Sequence, residues 1–392
     1  EPGASETLSI TFAIEDMASY DYLVNKAYVL EKGEYVITAR TDSHTIVGSQ
    51  TYTQTATGKG RTSDLIPATN LFDEVHGDVT YLSRANGFAN FAEATAAPAS
   101  LDMSADYVDT YQLNANFDYE MYIDPSAEMP VTGASNGMTL AELRGADYDD
   151  ERWEKLLDQL TVADMVHMTS LSGYQTPAVE SVGKIQVIDA DGPAAINNNF
   201  TGAGSIGFPV ATVIACTWNQ ELANEYGSIM GEMAREMEVT GWYAPGINMH
   251  RYPFGGRNYE YYSEDAVLTG LMSGNAVAGA EQHGVYSYIK HFALYDGNYK
   301  MVSIWCNEQA MRELYLQPFE HAVVEGDAYC VMNAFARIGV IWTGAHEGLM
   351  TDVLRGEWGC KGFGVSDYTS SSYATSAHAR GTYDGLLGVL AG

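Results

Sequence analysis

Val285-Tyr286-Ser287-Tyr288-Ile289-Lys290-His291-Phe292 sets how the rest of the chain is read. It opens as a short apolar and aromatic run of strand length, rich in the residue types that suit a pleated surface. It then ends on a Lys-His pair. Taken alone, such a pair is an ordinary polar strand end. Three other candidate strands finish in the same way. Ile185-Gln186-Val187-Ile188 runs into Asp189-Ala190-Asp191-Gly192-Pro193, and Tyr329-Cys330-Val331-Met332 runs into Asn333-Ala334-Phe335. Phe363-Gly364-Val365 leads to Ser366-Asp367-Tyr368. Val210-Ala211-Thr212-Val213-Ile214 is a further strand candidate.

Helical apolar spacing fills the intervals, over Asn219 to Thr240, Asn307 to Glu325 and Leu349 to Trp358. Short buried strands alternating with amphipathic helices indicate parallel βα units. The fold class is therefore α/β, as a barrel or a doubly wound sheet. No GxGxxG or Walker motif opens a helix, which argues against a nucleotide-binding sheet. A parallel barrel gathers its strand C-termini at one face. Asp191, Lys290, His291 and Asp367 would then share one pocket, although they lie far apart in the chain.

Between them lies Gly255-Gly256-Arg257-Asn258-Tyr259-Glu260-Tyr261-Tyr262-Ser263-Glu264-Asp265. It combines an arginine, three acids and three tyrosines behind a glycine pair, a mixture no strand core could bury unpaired. It suits a loop that grips a polyhydroxylated ligand, because aromatic faces cover a sugar ring while Arg and carboxylates bond its hydroxyls. Arg257 is the expected contact. Glu260, Glu264 and Asp265 read as its braces, and Tyr261 and Tyr262 read as packing.

The N-terminal part has a different texture. Leu8 to Ile14 alternates apolar and polar residues like a strand, and Ala27-Leu30 with Tyr35-Arg40 reads as a hairpin around Glu31-Lys32-Gly33-Glu34. Residues 1–65 are expected to form a small antiparallel β-sandwich. Residues 66–138 read as an ordered connector with little regular structure. From Thr139 the helical texture begins, with capping-box spacing at Thr139-Leu140-Ala141-Glu142 and Thr161-Val162-Ala163-Asp164.

Composition narrows the partners. Among 392 residues, 20 are Lys or Arg and 51 are Asp or Glu, a formal charge of −31. That field repels phosphate backbones and anionic lipid heads, so neither nucleic acid nor a membrane surface is an expected partner. A neutral ligand such as a sugar is compatible with it. Cys216, Cys306, Cys330 and Cys360 include no CxxC pair, so they read as free, mostly buried thiols. Such thiols favour a cytoplasmic over a secreted location, although Glu1-Pro2-Gly3 reads as the start of a fragment. No metal or cofactor is expected.

From about 139 to 385 the chain resembles the (β/α)8 TIM-type barrel of glycoside hydrolase family 3, the β-glucosidase group. The matching blocks are Asp191-Gly192-Pro193-Ala194, Phe208-Pro209 with Ala215 to Asn219, Gly241 to Asp265, Lys290-His291-Phe292-Ala293, Met311-Arg312-Glu313 to Phe319-Glu320, Val353-Leu354-Arg355 to Gly362-Phe363, and Val365 to Tyr368. The resemblance implies retaining hydrolysis of β-glycosides through a covalent glycosyl-Asp intermediate. It makes Asp367 the nucleophile. It makes Asp191, Arg257, Lys290 and His291 the holders of the sugar hydroxyls, with Tyr368 an aromatic beside the nucleophile. Asp296 is left open.

Some blocks depart from the family pattern. Phe335 stands where a tyrosine is usual, so one hydrogen bond near the nucleophile is expected to be missing. Ala194-Ala195-Ile196-Asn197-Asn198 replaces a segment that often carries Gly and Arg, and its asparagines are expected to shape the pocket. The order of parts resembles the permuted members, which run α/β sandwich, fibronectin III-like β domain, barrel. Residues 1–65 would be the tail of that β domain and 139–392 a barrel incomplete at its C-terminal end. The general acid/base would come from the sandwich, in a missing segment or a second chain. A β-xylosidase and a degenerate, non-catalytic sugar-binding protein are the alternatives, and an N-acetyl-hexosaminidase is disfavoured by Ala293-Leu294-Tyr295-Asp296-Gly297. Aglycone, linkage preference and oligomeric state, a homo-oligomer included, are left open.

Overall fold

The computed structural model describes residues 3, 5, 7, 9–59, 69–77, 79–83, 86–100, 102–108, 120, 123–171, 173–295 and 303–367. Two small antiparallel sheets open the chain. One joins β1 (Ser19–Asp21), β2 (Ala27–Leu30) and β5 (Gly58–Lys59); the other is the hairpin of β3 (Gly33–Arg40) with β4 (Ile46–Gln54). The expected pairing of β2 with β3 is not formed. All four residues of β2 are buried, between β1 and β5, whereas β3 turns back on β4. That turn is made by Asp42, whose Oδ1 accepts the N–H groups of His44 and Thr45, each at 2.8 Å. The strand expected from Leu8 to Ile14 is not formed by its described residues: those from 9 to 13 join no sheet, and Ile14–Met17 is a 3-10 turn.

The larger sheet contains β6 (Gln175–Thr176), β7 (Val187–Asp191), β8 (Asn197–Asn198), β9 (Ala203–Gly204), β10 (Val239–Tyr243), β11 (Tyr286–Phe292), β13 (Cys330–Asn333) and β16 (Gly364–Ser366). Strands β12 (Ser303–Ile304), β14 (Arg337–Ile338) and β15 (Ile341–Trp342) form a separate small sheet. Within the large sheet β7, β10, β11, β13 and β16 are consecutive parallel neighbours. Their C-terminal ends therefore lie along one side. β6 and β8 flank β7 antiparallel.

Helices link the parallel strands. They are α1 (Arg152–Leu157) and α2 (Val162–Ser170) before the sheet, α3 (Ala211–Ala215) and α4 (Gln220–Glu236) between β7 and β10, α5 (Ala266–Glu281) between β10 and β11, and α6 (Gln317–Val324) before β13. Thr161 and Asp164 form the expected capping box at α2, whereas Thr139 heads only a 3-10 turn and its hydroxyl bonds the Glu142 carboxylate. Asn219 Oδ1 and Asp265 Oδ1 cap α4 and α5 by accepting from the N–H groups of Leu222 and Leu268.

Two expectations need correction here. Val210-Ile214 belongs to helix α3 and its N-cap, not to a strand: a short, mostly apolar run does not distinguish the two, and the buried Ala211, Ile214 and Ala215 follow helical spacing. The helix from Asn219 stops at Glu236, and β10, missed in the sequence, begins at Val239. Glu238 between them takes a left-handed conformation, φ 58°, which ends a helix.

The core lies between sheet and helices. α5 is apolar around most of its circumference and correspondingly buried, as a helix covered on several sides must be. It meets α4 at backbone contact: a Cβ on Gly227 would fall 1.9 Å from Ala276 O, and one on Gly279 2.1 Å from Asn224 O. The N-terminal part docks on the helical region through Arg312. Its Nε donates to Glu308 at 2.9 Å, its two terminal nitrogens to Glu357 at 2.7 and 3.0 Å, and Tyr20 covers its guanidinium. Glu308 also accepts the N–H groups of Leu71 and Phe72. Among the described residues, no helix is long and apolar enough to cross a membrane.

Candidate active site

The C-terminal ends of β7, β11 and β16 deliver Asp191, Lys290 with His291, and Asp367 to one side of the sheet. β13 ends beside them at Asn333, whose carbonyl accepts the Asp367 N–H at 3.3 Å. The loop after β10 brings Arg257. Widely separated segments thus meet because parallel strands must all end on the same side.

Two linked groups result. In the first, Lys290 Nζ donates to Asp191 Oδ1 at 2.7 Å and to Gly192 O at 3.2 Å. Its side chain is 3% exposed, whereas that of Asp191 is 41% exposed. The ammonium is thus buried against a carboxylate that still faces solvent. Asp191 Oδ1 also accepts its neighbour Gly192 N–H at 2.9 Å.

In the second group, Arg257 Nη2 meets His291 Nε2 at 2.9 Å, and Arg257 Nε donates to the Glu260 carboxylate. The guanidinium also lies 5.6 Å from the Tyr295 ring centroid. His291 Nε2 is 3.6 Å from Asp367 Oδ2, and His291 Nδ1 is 3.0 Å from the Tyr261 hydroxyl. Burial first, then the positive charges of Arg257 and Lys290, hold the His291 pKa well below its usual value. The imidazole is therefore neutral at physiological pH, so its approach to Asp367 is not an ion pair. The main chain of His291 is pinned as well: its N–H donates to Asn248 Oδ1 at 2.7 Å, and its carbonyl accepts from Asn248 Nδ2 at 2.8 Å.

Five of the six site residues read from the sequence are thereby brought together: Asp191, Arg257, Lys290, His291 and Asp367. Tyr368 lies outside the described residues, as does Asp296. Glu260 braces Arg257 as expected, but Asp265 instead caps α5. Asn198 does not shape the pocket. Its Nδ2 donates to Asp189 O, and its Oδ1 accepts the N–H groups of Phe200 and Thr201, so the amide closes a turn. Phe335 is buried and packs against Tyr295.

Sequence reading missed Asn248, Tyr295 and the polar role of Tyr261. Asn248 gives no local signal because its partner is backbone from a distant strand. All four cysteines are free thiols, Cys216 exposed and the other three buried. Among the described residues no group of three or more His, Cys, Asp or Glu side chains is placed to hold a metal ion.

The model of the glycosyl hydrolase family 3 N-terminal domain matches residues 161–384. Beta-glucosidase A of Butyrivibrio fibrisolvens is 31% identical over 386 residues, covering 94% of this chain and 45% of that protein. A beta-glucosidase of Rhizobium radiobacter is 33% identical over 228 residues, covering 56% of this chain and 27% of the relative. The chain thus spans less than half the length of these curated relatives.

Among solved structures, beta-glucosidase 3B of Thermotoga neapolitana in complex with glucose is 35% identical at a TM-score of 0.51, over 56% of this chain and 34% of that one. A beta-glucosidase from Paenibacillus barengoltzii follows 90% of this chain, and 39% of its own, at a TM-score of 0.68 and 23% identity, a likeness of fold. With the family model matched over more than half of its 392 residues, the chain belongs to glycosyl hydrolase family 3.

Proposed function

We propose that the protein is a retaining exo-β-glucosidase in which Asp367 is the nucleophile. The observation that carries this reading is the meeting of Asp367 with the Arg257–His291 and Asp191–Lys290 pairs at one end of a parallel sheet. A hexopyranose offers several hydroxyls, each a donor and an acceptor. Asp191 supplies acceptors, Lys290 and Arg257 supply donors, and all are held in place before substrate arrives. Asp367 completes the pocket, and the family pattern assigns Tyr368 the role of an aromatic for the sugar.

In the first step the Asp367 carboxylate attacks the anomeric carbon as the glycosidic C–O bond breaks, and the leaving oxygen takes a proton from a general acid. In the second, the same group deprotonates a water that attacks the anomeric carbon, which frees Asp367 and the sugar. That acid/base is assigned to a part of the protein outside these residues, a preceding α/β sandwich or a second chain. The five neighbouring parallel strands support a (β/α)8 barrel within 139–392. The small antiparallel sheets support a partial fibronectin III-like domain over 1–65, with 66–138 connecting the two.

The test is Asp367→Ala in the full-length protein with an aryl β-glucoside. Turnover is expected to fall by ~10⁴-fold or more, a loss on the scale seen when an enzyme's nucleophile is removed. Turnover within a few-fold of wild type would remove Asp367 from the role. Faster wild-type hydrolysis of the xyloside would make the protein a β-xylosidase. Glucose binding without hydrolysis of any activated substrate would make it a sugar-binding protein.

A further inference from the structure

Tyr261 is buried to 2% exposure, and its ring packs with Tyr295, Ala334, Phe335 and Ala336, which alone would make it a core residue. Its hydroxyl, however, points at the ring nitrogen of a buried site histidine. Hydrogen positions are fixed here by chemistry. A guanidinium has only donors. Arg257 Nη2 lies 2.9 Å from His291 Nε2, so Nε2 must present its lone pair. The imidazole proton is then on Nδ1, and the Tyr261 oxygen, 3.0 Å away, must accept it. The opposite tautomer would set two N–H donors against each other at Nε2, and an imidazolium would add a like-charge repulsion.

We propose that Tyr261 is a positioning residue, whose oxygen accepts the Nδ1 proton of His291 and so fixes the tautomer whose Nε2 lone pair holds Arg257 in place. This proposal rests on the functional reading above and deepens it. His291 is 1% exposed, so water offers Nδ1–H no ready substitute for the phenol. Asn248 clamps the His291 backbone, which keeps the ring from drifting toward another acceptor.

The three groups form one directed chain, from Arg257 through His291 to Tyr261. Its effect is on Asp367. Were Nε2 protonated, Arg257 would lose its partner there, and the new N–H would face Asp367, whose Oδ2 is 3.6 Å from that nitrogen. An N–H donated to the carboxylate would compete for the electron pair that attacks the sugar. Tyr261 thereby keeps Arg257 on His291 and the imidazole proton away from the nucleophile.

The proposal is tested by ¹⁵N NMR of the full-length protein labelled at histidine, with the His291 signals identified by their loss in His291→Gln. The expected spectrum shows a protonated Nδ1 and an unprotonated Nε2 at neutral pH. In Tyr261→Phe, which keeps the ring, the Nε2–H tautomer should appear. The kcat/KM for an aryl β-glucoside should fall about ten-fold, or about 1.4 kcal/mol, mainly through KM.

An Nε2–H or doubly protonated His291 in the wild type would overturn the proposal. So would an unchanged tautomer in Tyr261→Phe with kcat/KM within two-fold of wild type. Should the variant fail to fold, the wild-type spectrum decides. A wild type that hydrolyses no glycoside would end the functional reading, while the spectrum would still judge the tautomer.

Discussion

Asp189 and Asp191 sit two residues apart on β7, on the same face of the sheet, yet they live in opposite surroundings. Asp189 is 0% exposed and is met by three phenols: Tyr288 at 2.9 Å, Tyr286 at 3.0 Å and Tyr243 at 3.4 Å. Asp191 faces an ammonium and solvent. Strand β11, beyond β10, shows the same step, presenting Tyr288 to the lower carboxylate and Lys290 to the upper one. Burial raises the pKa of Asp189, against the opposing hydrogen bonds of the three phenols and the charge of Lys184. One layer seals the interior; the next, nearer the strand ends, stays open to a ligand. Gly241 makes the lower layer fit, because a Cβ there would lie 2.2 Å from Asp189 Oδ1.

The comparison predicts different failures. Lys290→Met should produce the largest, a drop in kcat/KM of at least ~100-fold, about 3 kcal/mol of lost transition-state stabilisation, with little change in thermal midpoint. A loss under five-fold would make the upper layer as structural as the lower. Asp189→Ala should do the reverse. It leaves three buried hydroxyls without their acceptor, so urea unfolding should show about 2–3 kcal/mol of lost stability, with kcat/KM within about five-fold. A KM change larger than the stability change would erase the distinction between the layers.

Glu281 sharpens the contrast from the other end of the sheet. It is the last residue of α5 and accepts the Ser287 N–H at 3.0 Å, and burial, aided by Asp327, lifts its pKa from 4.5 to about 7. The native state therefore holds this proton to a higher pH than the unfolded chain. Between about pH 4.5 and 7 the native state binds more protons, so stability falls as pH rises through that window. Glu281→Gln should flatten that slope and stabilise the protein at pH 8 relative to wild type by about 1 kcal/mol, after discounting for partial exposure. An unchanged slope in denaturation from pH 4.5 to 8 would place the titration elsewhere.

Much of this was legible in the chain. Parallel strands follow short apolar runs closed by polar residues, and the polar ends at Asp191, Lys290, His291 and Asp367 converge because topology forces them to. Errors arose where local pattern underdetermines structure. The run at Val210 to Ile214 suited helix and strand alike. The end of α4 turned on one left-handed residue, Glu238, whose conformation its side chain does not announce. The N-terminal pairing depended on which strand β2 was buried against, a tertiary matter. In the site, charged residues were visible because they are costly to place without purpose. Asn248 and Tyr261 were not, because a neutral hydrogen bond to a distant partner leaves no trace in composition.

The glycine contact between α4 and α5 has a consequence for how this pocket could diversify. α4 leads into β10 and α5 into β11, and at Gly227 and Gly279 the two helices touch with no side chain between them. No smaller residue exists to bring them closer, and any larger one must force them apart. The separation of these two helices, behind the strand bearing the Arg257 loop and the strand bearing Lys290 and His291, is thus already at its lower limit. Descendants seeking a different sugar would have to vary the loops above the sheet, since the frame beneath admits no gradual adjustment.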